Sequence, residues 1–224
     1  EIKAPNISFY QKLEKRSSNR SIITSLKDAD GTPQSDAAKL LDISKIYYTQ
    51  LFTNIPTDSQ SQNKLLRNID KTLTLSQQLD LDKEISQEEL RAAVEHLSNN
   101  KSPGLDGISA EFYKKFWYLL KDKYLAFINH ANTTGFIPTR NTSVTTLLYK
   151  NKGDADDLKN YRPISLINTD IKILSRVLTT RLNKVIPSLI HHTQTAVQGQ
   201  DRVDHALLFK TMKTLGIGDH FIHW

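Results

Sequence analysis

Four groupings of side chains in this 224-residue sequence have the residue types needed to hold a metal ion. His191-His192 are adjacent, and His220 and His223 stand three apart on a possible helix. Adjacent imidazoles point apart in most backbones and no third ligand accompanies them, so they do not read as a zinc site. Asp154, Asp156 and Asp157 could gather a cation, but they sit in a polar turn where solvated carboxylates are the commoner explanation. Asp28 and Asp30 have the start of a calcium loop, yet Gly31 comes too early and the closing Glu is missing. With no cysteine, a thiolate metal site, a disulfide scaffold and a cysteine nucleophile are excluded. Walker, nucleophile-elbow, H-E-x-x-H and G-x-G-x-x-G patterns are all absent. One compact loop remains: Lys101-Ser102-Pro103-Gly104-Leu105-Asp106-Gly107, in which a proline and two glycines within five residues forbid a regular element.

The elements that would carry these residues follow from hydrophobic spacing. The short apolar run Ser21–Leu26 leads into the turn 28–31 and reads as a strand, and Asp36–Phe52 shows the wide apolar stripe of a buried helix. The run Thr57–Asn63 is polar and reads as an exposed linker. Ser86 with Glu89 three residues later forms a capping box for a helix that carries Leu90, Val94 and Leu97 and should stop at Asn99-Asn100. Ser109 opens a long helix with Phe112, Phe116, Leu120, Tyr124, Phe127 and Ile128, closed by Gly135 and Pro138, its aromatic stripe expected in the core. Val144–Tyr149 reads as a strand, and Arg162–Leu166 as its returning partner across a polar turn. A helix capped by Thr169 or Asp170 follows, broken at Pro187, and a last helix runs from about Asp204 to Leu215. The fold class is therefore α+β, mainly helical with a small antiparallel hairpin.

Charge is distributed unevenly. Residues 1–100 hold 13 Lys and Arg against 14 Asp and Glu, whereas residues 101–224 hold 17 against 10. The whole excess of +6 thus lies in the second half, which would attract phosphate backbones or simply keep a solvated basic surface. No apolar run reaches the roughly 20 residues that span a bilayer, and the first residues lack the apolar stretch of a signal peptide. An intracellular protein that does not bind membranes is expected, in nucleus or cytoplasm. The first residue is Glu, which reads as a fragment.

One ordered set of segments goes further: Asn100–Ser109 (NKSPGLDGIS), Glu111-Phe112-Tyr113-Lys114, Leu148–Asp154 (LYKNKGD), Asn160–Asn168 (NYRPISLIN) and Thr193-Gln194-Thr195-Ala196. Over roughly residues 5–224 this resembles the reverse transcriptase of LINE-type (non-LTR) retrotransposons, specifically its fingers region and the segment just before it. The resemblance implies an incomplete fingers/palm fold divided into an N-terminal extension (1–83), a fingers region (84–200) and a palm-helix remnant (201–224). It also implies roles. Arg162 would reach the triphosphate of an incoming nucleotide and Lys150 would face the same phosphates, a planar guanidinium gripping oxygens bidentately and a lysine adding a movable charge. Lys101, Gly104 and Gly107 would lie against template RNA, with Lys152 in the same phosphate groove. Without the resemblance, Arg162 would read as an ordinary surface cation.

The resemblance breaks near residue 200. Thr195–Gln200 lacks the family's Phe and runs straight into Asp201-Arg202-Val203-Asp204-His205, so Asp201 matches a later, non-catalytic Asp and the catalytic strand is missing. Intact family members use Mg2+ held by converging carboxylates; this chain is expected to carry no catalytic residue and no cofactor, and to be an internally deleted, truncated and inactive fragment that retains affinity for RNA or DNA. The alternative is a host-retained nucleic-acid-binding or protein-interaction module. Deleting the strand would leave Leu207, Leu208, Met212 and Leu215 exposed on the last helix, a surface for self-association.

Overall fold

Asp28 organises the first element pair. Its carboxylate accepts from the Asp30 and Thr32 N–H groups and from the Gln34 side chain, closing a tight turn between β1 (Leu26–Lys27) and β2 (Pro33–Gln34). Those donors, the Gln34 amide first, hold its pKa below the usual carboxylate value. The computed structural model describes residues 22–53, 57–135, 137, 142–190 and 204–224, so His191-His192, Thr193–Ala196 and the Asp201 junction lie outside the described residues. Asp36 caps α1 (Ala37–Phe52), followed by α2 (Ser59–Leu66), α3 (Leu75–Asp82), α4 (Gln87–Glu95) and α5 (Ala110–Thr134). The strands β3 (Val144–Tyr149) and β4 (Tyr161–Leu166) come next, and α6 (Thr169–Leu189), α7 (His205–Thr214) and α8 (Asp219–His223) complete the order. The described residues are mainly helical with two small antiparallel sheets, β1-β2 and β3-β4, in line with the α+β expectation. No described helix is long and apolar enough to cross a membrane.

Two compact units divide the chain: Glu1–Thr53 with Thr145–Ile164, and Asn54–Val144 with Ser165–Trp224. The first has a small core of Leu26, Leu158 and Tyr161, with Leu40, Ile43, Tyr47, Leu147 and Tyr149 packed against it. Helix α1 was expected to be buried, yet none of its residues is: Leu41, Ile46 and Phe52 face outward, because the sheet it covers is too small to bury a wide stripe.

The second unit is built on α4, α5 and α6. Leu90, Val94, Tyr124, Ile128, Ile173, Leu174 and Val177 form its main core, with Trp117 and Phe127 against it. On α5 the buried line is Tyr124, Ile128 and Ala131, while Phe112 turns outward. The Tyr124 hydroxyl donates to the Asp170 carbonyl at 2.6 Å, and burial pushes its pKa well above the usual tyrosine value. The Ser86–Glu89 capping box is present, and Gly135 ends α5 in the left-handed region at φ 68°. A second core of Leu73, Leu81, Val185, Ile217 and Phe221 ties α3 and α8 to the end of α6.

Buried Arg181 on α6 links these parts. Its guanidinium grips both Glu89 oxygens at 2.7 Å and also donates to the carbonyls of Leu81, Lys83 and Glu84. Burial works to raise the Glu89 pKa, but the Arg181 and Ser86 hydrogen bonds outweigh it and the carboxyl ends below its usual value.

Several boundaries differ from expectation. Residues 59–66 are helical where a linker was expected: Asp58 caps two N–H groups, and Gln62 is buried by bonds to Thr57, Asp204 and Lys210. Helix α4 ends at Glu95, earlier than Asn99, with His96 as its C-cap; Asn100 takes the left-handed conformation (φ 57°) further on. The N-cap of α6 is Asn168, since the Thr169 hydroxyl donates instead to the Ile108 carbonyl. That helix also runs through Pro187 to Leu189, the proline forgoing its own bond to the carbonyl of Asn183 close to the helix end. Of the four α7 residues expected to be exposed, only Leu208 is; Leu207 and Leu215 are half-buried and Met212 packs against the second core, while Phe209, for which nothing was expected, is exposed.

Candidate nucleic-acid interface

In the first unit the hairpin carries Lys150, Lys152 and Arg162. The Lys150 N–H donates to the Asn160 carbonyl at 2.8 Å, which sets the register: Tyr149 faces Tyr161, their ring centres 5.4 Å apart on the core side. Strand alternation then puts Leu148, Lys150 and Arg162 together on the opposite, exposed face, Lys150 and Arg162 being diagonal neighbours across the ladder. The Lys150 ammonium donates to the Lys159 carbonyl at 2.8 Å, which holds it at the end of the hairpin.

The turn between the strands is tightly made. Asn151 and Gly153 take positive φ (53° and 81°), and a Cβ on Gly153 would fall 2.7 Å from the Asn160 side chain. The Tyr149 hydroxyl donates to the Gly153 carbonyl, and Tyr161 to that of Ala155. Lys152 thus projects from a fixed turn. Asp154 is ion-paired with Lys27, and Asp157 both caps the short 3-10 turn Leu158–Asn160 and pairs with Lys159 at 2.6 Å. These lysines hold the Asp154 and Asp157 carboxyls below the usual carboxylate value. The acidic cluster is therefore a structural turn, and among the described residues no group of three His, Asp or Glu could hold a metal ion. A divalent ion does not fit this donor set.

In the second unit the loop Lys101–Gly107 rests on the start of α6. Gly104 approaches so closely that a Cβ there would lie 2.1 Å from the Asn168 side-chain oxygen and 2.5 Å from its backbone nitrogen. That same oxygen accepts from the Asp106 N–H at 3.4 Å, and the Asp106 carboxylate accepts from Ile108 N–H at 3.0 Å. Gly107 has φ 70° and open space around it, so it is required by the turn itself. Gly104 accordingly has an internal reason to be glycine, close packing against Asn168, besides any contact with a ligand. Upstream, the Glu111 carboxylate accepts from the Asn100 N–H at 2.5 Å and the Lys114 ammonium donates to the Asn99 side chain at 2.8 Å, which fixes the entry to the loop. The Asn100 bond, first among several, lowers the Glu111 pKa.

Two cations beside this loop escaped the sequence reading. Lys172 donates to the Ser102 carbonyl at 3.0 Å and Arg176 to the His96 carbonyl at 3.1 Å, one helical turn apart on α6. The only signal in the sequence was their spacing of four on a helix whose opposite face is apolar.

No family model matches the chain. It is 32% identical over 205 residues to the uncharacterized 149 kDa protein of transposon TX1 from Xenopus laevis, a match covering 91% of this chain and 16% of that protein. It is also 27% identical over 101 residues, 44% of its length, to a putative 115 kDa protein in the type-1 retrotransposable element R1DM of Drosophila melanogaster, of which the match spans 10%. The matched part is thus a small share of each relative. Over most of its length the chain is a homologue of LINE-type (non-LTR) retrotransposon proteins.

Proposed function

We propose that the chain is a piece of the RNA-directed DNA polymerase of a LINE-type element, its fingers region with the preceding segment, which binds RNA or DNA through phosphates and has no polymerase centre of its own. The observation that carries this reading is the β3–β4 hairpin. It presents Lys150 and Arg162 on one exposed face, at the positions where the motif K-x-K-G-D followed by N-Y-R-P-I-S-L-I-N would place them. Arg162 and Lys152 have no carboxylate partner among the described residues, so their charge is available to a phosphate. Gly104 and Gly107 shape the loop that would lie along a template, with Lys101 at its start.

Inactivity is supported by the fate of the acidic residues. Asp156-Asp157 is the one adjacent Asp pair in the sequence, and it forms the hairpin turn, with Asp157 engaged by Lys159. Homology to retrotransposon proteins supports the origin of the segment. Exposed Leu208 and Phe209 support self-association through α7.

Primer extension on a template RNA with Mg2+ and deoxynucleotides, run beside a binding titration, tests this reading. Binding without incorporation is expected, with affinity falling linearly against salt on logarithmic axes. Incorporation by the chain alone would overturn the inactive assignment, and absence of binding at low salt would overturn the nucleic-acid reading.

A further inference from the structure

Beside the Lys101–Gly107 loop the second unit has a cleft of about 590 Å³ whose lining is one-sided in charge. Lys101, Lys172 and Arg176 line it together with the hydroxyls of Ser102, Ser175 and Thr179, and no carboxylate takes part. Residues 172, 175, 176 and 179 follow the i, i+3, i+4, i+7 pattern, so they form one stripe along α6. Lys172 and Arg176 each donate to a neutral carbonyl and make no ion pair among the described residues; Arg176 also borders the neighbouring pocket that holds Glu88 and Glu89. Lys101 stands on the loop at the cleft's edge and makes no ion pair among the described residues.

We infer that this cleft is the track of a nucleic-acid strand, with Lys172 and Arg176 on successive phosphates, Lys101 on a flanking one and the hydroxyls of Ser175 and Thr179 on phosphate or sugar oxygens. The inference rests on the nucleic-acid reading above and extends it from Lys101 along α6, a path that the sequence motifs do not mark. Four helical residues advance about 6 Å, on the order of the distance between neighbouring phosphates of one strand. Hydroxyls interleaved with cations suit backbone contacts, which fix a strand's position without reading its sequence. The volume falls in the roughly 300–1,000 Å³ range of ligand sites, enough for one or two nucleotides at a time.

The test is fluorescence anisotropy with a labelled 12-nucleotide RNA, the DNA of the same sequence, and a free nucleoside triphosphate as competitor, using the full chain. K172A/R176A should weaken binding of both strands about 10-fold or more at low salt and reduce the salt slope by about 1.4, two contacts at about 0.7 each for a single strand. Because those two side chains also hold Ser102 and His96, K101E is made in parallel; it breaks no bond in the structure and should weaken binding as well. K152A/R162A tests the hairpin independently. Cleft variants that bind like the unsubstituted chain while K152A/R162A binds weakly would overturn the cleft assignment and leave the proposed function standing. An unsubstituted chain that binds neither strand at low salt would overturn both. A nucleoside triphosphate that competes as tightly as the oligonucleotide, per molecule, would show a nucleotide pocket and overturn the strand track.

Discussion

Replacing Arg181 by Met should be among the most destabilising single changes in the second unit. The guanidinium is only 5% exposed and has four acceptors arranged around it: the Glu89 carboxylate and the carbonyls of Leu81, Lys83 and Glu84. Methionine fills most of the volume but leaves a half-buried carboxylate unpaired and three carbonyls without their donor. Breaking a buried pair by removing one partner costs about 3–5 kcal/mol, the greater part of it being the penalty of the stranded charge. Glu89 is itself 31% exposed, so water recovers part of that, and a loss near 3 kcal/mol is expected. Set against the typical 5–15 kcal/mol of total stability this is a large fraction. Guanidinium titration followed by far-UV circular dichroism and by tryptophan fluorescence measures it, since Trp117 and Trp224 both pack against the main core. R181K keeps a charge but lacks the planar fork, and should still lose roughly 2 kcal/mol. The double variant R181M/E89Q should be more stable than R181M, because the stranded charge is gone. A loss below about 1 kcal/mol for R181M, or a double variant no better than the single one, would refute this reasoning.

Other consequences are as concrete. Gly104→Ala should cost more than Gly107→Ala in a denaturation experiment: the first drives a Cβ into the Asn168 backbone, an overpacking cost of about 1–3 kcal/mol or above, while the second strains only a turn with open space around it, about 1 kcal/mol. Glu89, held below its ordinary 4.5, contributes stability that is complete above that value and is lost as pH falls through its lower folded pKa; the denaturation midpoint of the unsubstituted chain should drop there, and that of E89Q should drop less. Single changes Lys152→Ala and Arg162→Ala should each weaken RNA binding several-fold irrespective of sequence and reduce the salt slope by about 1, read by anisotropy titration.

Much of this architecture can be read from residue spacing, and where it cannot the reason is physical. The 25-residue α5 and the β3–β4 hairpin announce themselves through aromatic periodicity, a β-branched run and a left-handed Gly135. Helix α2 does not, because SQSQN has no apolar face; it is held by the Asp58 cap and by Gln62 bonding to Asp204, a partner 142 residues away. Helix α3 is short and starts with a Thr74–Gln77 capping box, a signal easily passed over beside the stronger Ser86–Glu89 box. The stripe of α1 has the period of a buried helix, but period reports which residues share a face and says nothing of how large the opposing surface is. In the candidate site, the Pro-Gly loop and hairpin cations are legible because glycine and proline punctuate the chain. Lys172 and Arg176 are not, since their role depends on α6 being laid beside Lys101, a contact between residues about seventy positions apart.

The central claim, that this retrotransposon-type chain contacts nucleic acid through named cationic segments, is tested most directly by ultraviolet cross-linking of the full chain to a photoreactive RNA, with the cross-linked peptides mapped by mass spectrometry. Cross-links should concentrate in peptides containing Lys101–Gly107, Lys150–Arg162 and Lys172–Arg176, and should fade together as salt is raised. Cross-links scattered evenly over the surface, or confined to peptides outside those three, would contradict the account.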